Sequence, residues 1–178
     1  MPLKPGNSGL FLLQTVNGTG ASGVLTLTVP AGYQELELTL RARGDTVATL
    51  VGAQMTFNGD TTATNYNTEI VYASAAVPGS VEALGSLAYL GVGDFPAASS
   101  TANLYSTCKI WIPEYASTTG FKTVHCHNAG FRTLTTTNLI PQYVSGCWES
   151  ETAITSIVVT ASAGNWTTAT VARLWGKR

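Results

Sequence analysis

His125 and His127 are the only histidines in the chain and stand two residues apart. On a strand that spacing puts both imidazoles on one face, where their nitrogens could be offered to a metal ion. Protein metal sites use more than two ligands, and the intervening Cys126, with Val124, reads as the buried face. No metal is therefore expected. His125 and His127 would be its only candidate ligands, and they are read as part of a solvent or subunit surface. Cys108, Cys126 and Cys147 are odd in number and lack CxxC spacing, so neither a disulfide framework nor a zinc site is indicated. They read as buried thiols.

Carboxylates two residues apart, as in some glycosidase sandwiches, occur at Glu35/Glu37 and Glu149/Glu151. The first pair is explained by the polar face of an amphipathic strand; the second straddles a strand end. There is no GxSxG elbow for a serine nucleophile, and adjacent His125 and Cys126 would point to opposite faces. Asp45, Asp60 and Asp94 each follow a glycine, a turn pattern without the Asp-x-Asp clustering of calcium loops. The expectation is no catalytic residue, no cofactor and no enzyme. Trp111, Tyr115, Trp148, Trp166 and Trp175 are read as outward aromatics. They fit a subunit interface, where Trp and Tyr are enriched, better than a sugar platform. Trp111 and Tyr115 are the candidate partner-binding residues among them.

These side chains must be carried by strands. Val24–Val29 alternates leucine and valine with threonine. Tyr33–Arg43 sets Leu36, Leu38, Leu40 and Ala42 against Glu35, Glu37, Thr39, Arg41 and Arg43. Leu50–Asn58 places Met55 and Phe57 opposite Gln54 and Thr56. Leu104–Ile112 has Leu104, Cys108, Ile110 and Ile112 on one face, with Tyr105, Lys109 and Trp111 on the other. Phe121–His127, Val144–Trp148, Ile154–Ala161 and a last strand through Leu174–Trp175 follow. About nine or ten short strands punctuated by turns predict an all-β antiparallel sandwich. Its inner faces should include Leu36, Leu38, Leu40, Phe57, Ile110, Ile112, Val124 and Ile157. Residues 64–90 are ambiguous: Asn65–Tyr72 suits a short helix or a strand, and Val81, Leu84, Leu87 and Leu90 have helical spacing. Gly91–Ser100 reads as a loop. The organisation expected is an extended arm over 1–20, then one domain over 21–178 with an irregular insertion around 60–100.

Composition narrows the function classes. Of the 178 residues 44% are hydrophobic and only 11% charged, against about 25% charged in a typical soluble domain. Such a neutral surface suits a protein packed against neighbours. Nine basic and ten acidic residues are scattered singly, for a net charge of −1, so nucleic acid is not an expected partner. Leu10–Leu13 is too short an apolar run for a signal or membrane segment; no membrane partner is expected, and the chain is expected to start in the cytoplasm where it is made.

Several motifs occur in an order that resembles small virion proteins of tailed bacteriophages. They are Met55–Asp60 (MTFNGD) with Asn65–Tyr66, and Ile112–Pro113–Glu114–Tyr115 with Phe121–Lys122. Trp148 with Ala153–Ile154, Gly164–Asn165–Trp166 and Leu174–Trp175–Gly176 complete the set. The resemblance covers roughly residues 50–178; residues 1–45 are outside it, and His125–Cys126–His127 stand where small or aliphatic residues are usual. It implies a jelly-roll-like sandwich, a homotrimer, and a place on the virion. The function expected from it is a capsid decoration (cement) protein that binds the major capsid protein and reinforces the head. The alternative is a tail or baseplate receptor- or carbohydrate-binding protein. In a trimer, three copies of His125 and His127 near the axis would bring six nitrogens together. The arm residues Pro2, Leu3, Lys4 and Pro5 are expected to bind a neighbour.

Overall fold

Leu36, Leu38 and Leu40 are fully buried in strand β3 (Glu35–Ala42), while Glu35, Glu37 and Thr39 stand on its opposite face. The computed structural model describes residues 9–74, 77–131 and 139–178. It holds twelve strands and, among the described residues, no helix. Before β3 come β1 (Leu10–Asn17) and β2 (Val24–Thr28); after it come β4 (Leu50–Phe57), β5 (Tyr66–Ser74), β6 (Val77–Leu87) and β7 (Leu90–Pro96). The second half carries β8 (Ser106–Pro113), β9 (Lys122–Phe131), β10 (Leu139–Trp148), β11 (Ser156–Ala161) and β12 (Val171–Lys177).

Every pairing is antiparallel. Eight strands form one sheet in the order β1-β12-β3-β8-β9-β10-β5-β6, and four form the other in the order β2-β11-β4-β7. The core lies between them, and all eight inner-face residues expected from alternation are buried in it. Large side chains such as Phe57, Phe95, Tyr66 and Trp166 are essentially inaccessible. Burying side chains of this size contributes about 1.5–3 kcal/mol each. The protein is thus a jelly-roll-like antiparallel β-sandwich.

The Phe57–Asp60 motif is a tight turn. Asn58 (φ 53°) and Gly59 (φ 72°) are both left-handed, and Asp60 N–H donates to Phe57 O at 2.8 Å, the geometry of a type I′ turn. The Asn58 side chain ties this turn to the approach to β11, accepting from Thr155 N at 2.8 Å and donating to Ala153 O at 2.8 Å.

Four expectations need correction. Residues 10–17 are not arm but edge strand β1, paired with β12 from Leu10↔Lys177 to Asn17↔Val171. Its partner lies far along the chain, and a bulge between Leu12 and Gln14 interrupts the alternation. The insertion expected around 60–100 is largely regular: β5 and β6 form a hairpin, and β7 is the edge of the smaller sheet. The helical spacing at Val81–Leu90 is overridden because β5 supplies cross-strand hydrogen bonds, and Gly79 and Gly85 support a helix poorly. Within the expected loop, Gly93 (φ 115°) lets β7 lie close on the larger sheet; a Cβ there would stand 2.1 Å from Asn128 Nδ2. Finally, Arg43 is buried rather than on the wet face, because β3 ends at Ala42 and its alternation ends with it. The guanidinium donates to the carbonyls of Thr101 (2.7 Å), Leu104 (3.0 Å), Ser100 (3.1 Å) and Ala98 (3.4 Å).

Candidate interaction face

Pairing register lays the outward side chains of the eight-stranded sheet in rows. One row runs Trp175–Glu37–Trp111–His125–Ser145–Glu69 across β12, β3, β8, β9, β10 and β5. The next runs Arg173–Thr39–Lys109–His127–Tyr143–Val71 over the same strands. With strands about 4.8 Å apart, each row is roughly 24 Å long.

Rings dominate the middle of this face. Trp111 and His125 stack with centroids 5.6 Å apart, and His127 meets Tyr143 edge-on at 4.7 Å. Aromatic pairs of this kind add about 0.5–1.5 kcal/mol beyond their buried area. Charges flank them as pairs. Lys109 bridges Glu37 at 2.7 Å and Lys177 bridges Glu35 at 2.6 Å; the Trp111 indole N–H also donates to Glu35. The Lys177 and Trp111 hydrogen bonds hold the Glu35 carboxyl below its ordinary value against a smaller opposing effect of burial. Arg41 lies over the Tyr105 ring at 3.9 Å. Tyr143, Leu139, Val71 and Trp111 remain 60%, 51%, 49% and 42% exposed.

Alternation on β9 is as expected: Val124 and Cys126 are buried, and His125 and His127 are exposed. Each imidazole packs on an aromatic ring of a neighbouring strand. Among the described residues no group of three or more His, Cys, Asp or Glu is placed to hold a metal. Cys108 and Cys126 both turn their thiols to Val92 O, at 3.4 and 3.1 Å. Burial, together with the neighbouring Cys126, pushes the Cys108 thiol well up. Cys147 is only half-buried.

The aromatics divide. Trp111 is exposed at the centre of the face, and Trp175 lies half-buried in the same row. Tyr115 is not a surface residue: it is 1% exposed, and its hydroxyl donates to Pro30 O at 2.7 Å. Trp148 and Trp166 are buried as well, the latter edge-on to Phe95 at 5.8 Å. Trp148 and Trp166 occur where the chain crosses between the sheets, at the end of β10 and between β11 and β12, while Tyr115 lies in the β8–β9 connection beyond the end of β8, where alternation no longer applies. Pro2, Leu3, Lys4 and Pro5 lie outside the described residues. Lys122 is buried; its ammonium donates to Gly120 O (2.7 Å) and Ser150 O (3.2 Å). Burial holds it below the usual lysine value.

Beyond the face, an open cleft of about 380 Å³ lies between the edge of β7 and the inner side of the β5–β6 hairpin, floored by Ile70, Tyr72 and Ile140. Gln142 accepts from Asp94 N–H (2.8 Å) and donates to its carboxylate (2.9 Å), while Asn128 donates to Asp94 O (2.9 Å). The free edge of β7 is thus capped by side chains of the larger sheet, one way natural sheets protect an edge from pairing with another chain.

The class this architecture defines is an antiparallel β-sandwich carrying a flat aromatic face. No protein-family model matches the sequence, and no curated protein matches it. Similar solved structures include an exo-inulinase from Aspergillus awamori, at 9% identity and TM-score 0.43, over 96% of this chain and 29% of that one. Alginate lyase Aly36B, in complex with an alginate trisaccharide, aligns at 11% identity and TM-score 0.33, over 92% of this chain and 80% of that one. A human SPRY domain aligns at 12% identity and TM-score 0.20, over 94% and 96%. The chain therefore spans under a third of the inulinase. Similarities at this level transfer no activity or ligand to it.

Proposed function

We propose that the chain is a structural protein of the bacteriophage virion, and specifically a homotrimeric capsid decoration protein that binds the major capsid protein and reinforces the head. The observation that carries this reading is the outer face of the larger sheet. Tyr143, Leu139, Val71 and Trp111 are exposed together there, while Glu37 and Lys109 neutralise one another. Large apolar side chains gathered on one face mark interaction surfaces. With the central charges paired, and with Glu69 and Arg173, unpaired among the described residues, at the ends of the rows, the middle of the face can be buried without heavy desolvation cost. Reinforcement needs no chemistry: apolar area buried against several capsid subunits at once gives avidity. The order of motifs shared with small phage virion proteins supports the same reading.

Copy number on purified particles tests it. Mass spectrometry of virions should find hundreds of copies per particle, and undecorated heads should gain heat resistance when the protein is added back. A few dozen copies confined to tails would overturn the decoration role in favour of a tail receptor-binding protein, the reading that the exposed Trp111 would then serve. Light scattering of the purified protein should give a trimer mass.

A further inference from the structure

At one end of the larger sheet, a cleft of about 620 Å³ opens between the start of β3 and the end of β8. Its apolar lining is Tyr33, Trp111 and Pro113, and Glu35 and Glu114 bring carboxylates to it. Glu114 is a non-glycine residue in the left-handed region, with φ 45°, a strained conformation kept only where its surroundings impose it. The buried Tyr115 next to it, bonded to Pro30 O, pins that turn. Glu35 is engaged by Lys177 and Trp111. The Glu114 carboxylate, by contrast, is exposed and has no hydrogen-bond or ion-pair partner among the described residues.

From this geometry we infer that the cleft is the docking groove for Pro2–Leu3–Lys4–Pro5 of the same chain. The chain upstream of β1 joins it beside the cleft. Leu10 pairs with Lys177, Lys177 with Glu35, and Glu35 with Pro113. Three strand spacings put Leu10 about 14 Å from Pro113, and the five residues from Pro5 to Leu10 reach about 17 Å. The Phe11 ring is 6.3 Å from the Tyr33 ring that lines the cleft, and Arg178 sits over both rings at 5.3 Å.

Composition of the segment fits the groove. The sequence Pro2-x-x-Pro5 spaces two prolines, residues with little backbone freedom, as Pro-rich recognition segments do. Segments of this kind dock in aromatic-lined grooves because little conformational freedom remains to be lost. Tyr33, Trp111 and Pro113 supply such a wall. Lys4 supplies the positive charge that the free Glu114 carboxylate lacks. The inference is independent of the virion reading, because both groove and segment belong to this chain.

Photocrosslinking of the full chain tests it. p-Benzoylphenylalanine in place of Leu3 should crosslink to Tyr33 or to the Trp111–Ala116 segment, located by peptide mass spectrometry. An equal mixture of isotopically light and heavy protein should give light–light and heavy–heavy products only. Pro2→Ala with Pro5→Ala, and separately Glu114→Lys, should each lower the yield at least fivefold; none of these changes enters the core. Unchanged yield in the double proline variant, adducts scattered over other surfaces, or light–heavy products would each overturn intrachain docking.

Discussion

The indole N–H of Trp148 donates to Oδ2 of Asp60 at 2.7 Å. Residues 88 positions apart are thereby joined, and each belongs to one of the short motifs singled out in the sequence. Asn65 donates to the same oxygen at 2.8 Å, and Thr62 N–H to Oδ1 at 2.9 Å. Beneath them, Phe57, Tyr66 and Trp148 pack with ring centroids 5.4–6.5 Å apart. The Tyr66 hydroxyl donates to Asp60 O at 3.0 Å and accepts from Phe57 N–H at 3.1 Å. One carboxylate thus seals one corner of the sandwich.

That corner makes stability depend on acid. Burial alone would raise the Asp60 carboxyl, but the bonds from Asn65, Trp148 and Thr62 outweigh it and lower the value to about 2. A carboxyl depressed in the folded state contributes stability above its unfolded value of about 4, and that contribution is lost as pH falls towards 2. With solvent screening the contribution is about 1–2 kcal/mol. Denaturant titrations from pH 5 down to pH 2 should show this loss, and Asp60→Ala should largely remove it. An unchanged acid limb in the variant would refute the assignment.

Arg43 should be the most sensitive of the charged residues. Arg43→Met keeps much of the packing but abandons four carbonyls, which predicts a loss of about 2–4 kcal/mol. Urea unfolding measures it. A change below about 0.5 kcal/mol would mean that the 98–104 segment is held by other contacts.

Gly93 should not tolerate a side chain. Gly93→Ala must strain a backbone at φ 115° and displace Asn128 from Asp94 O, for an expected loss of about 2–4 kcal/mol. Gly59, also at positive φ but with nothing within 4 Å of its added Cβ, is the control, with an expected loss of about 1 kcal/mol.

Tyr143→Ser with Leu139→Ser removes exposed apolar surface without opening the core. Leu139→Ser should cost no more than about 0.5 kcal/mol, and Tyr143→Ser about 0.5–1.5 kcal/mol through loss of its edge-on contact with His127, so the fold should persist. Occupancy on undecorated heads should fall tenfold or more. Equal occupancy would move the binding surface away from the outer face.

Period-two alternation is a local property, and so the faces of β3, β4, β8 and β9 could be assigned from neighbours in sequence alone. The turn at Asn58–Gly59 was equally legible, because those residues favour positive φ. Strand order was not legible. It depends on pairings such as Leu10 with Lys177 and Glu35 with Pro113, which no local pattern records. That order sets Trp111 beside His125 and His127 beside Tyr143, turning scattered residues into a face. Residues beyond strand ends, where alternation no longer applies, had their burial decided only in three dimensions. Arg43 and Tyr115 went inward there because a second sheet and its crossing loops cover them. The extent of the aromatic face is likewise a tertiary outcome, since only one side of the eight-stranded sheet is covered by the smaller one.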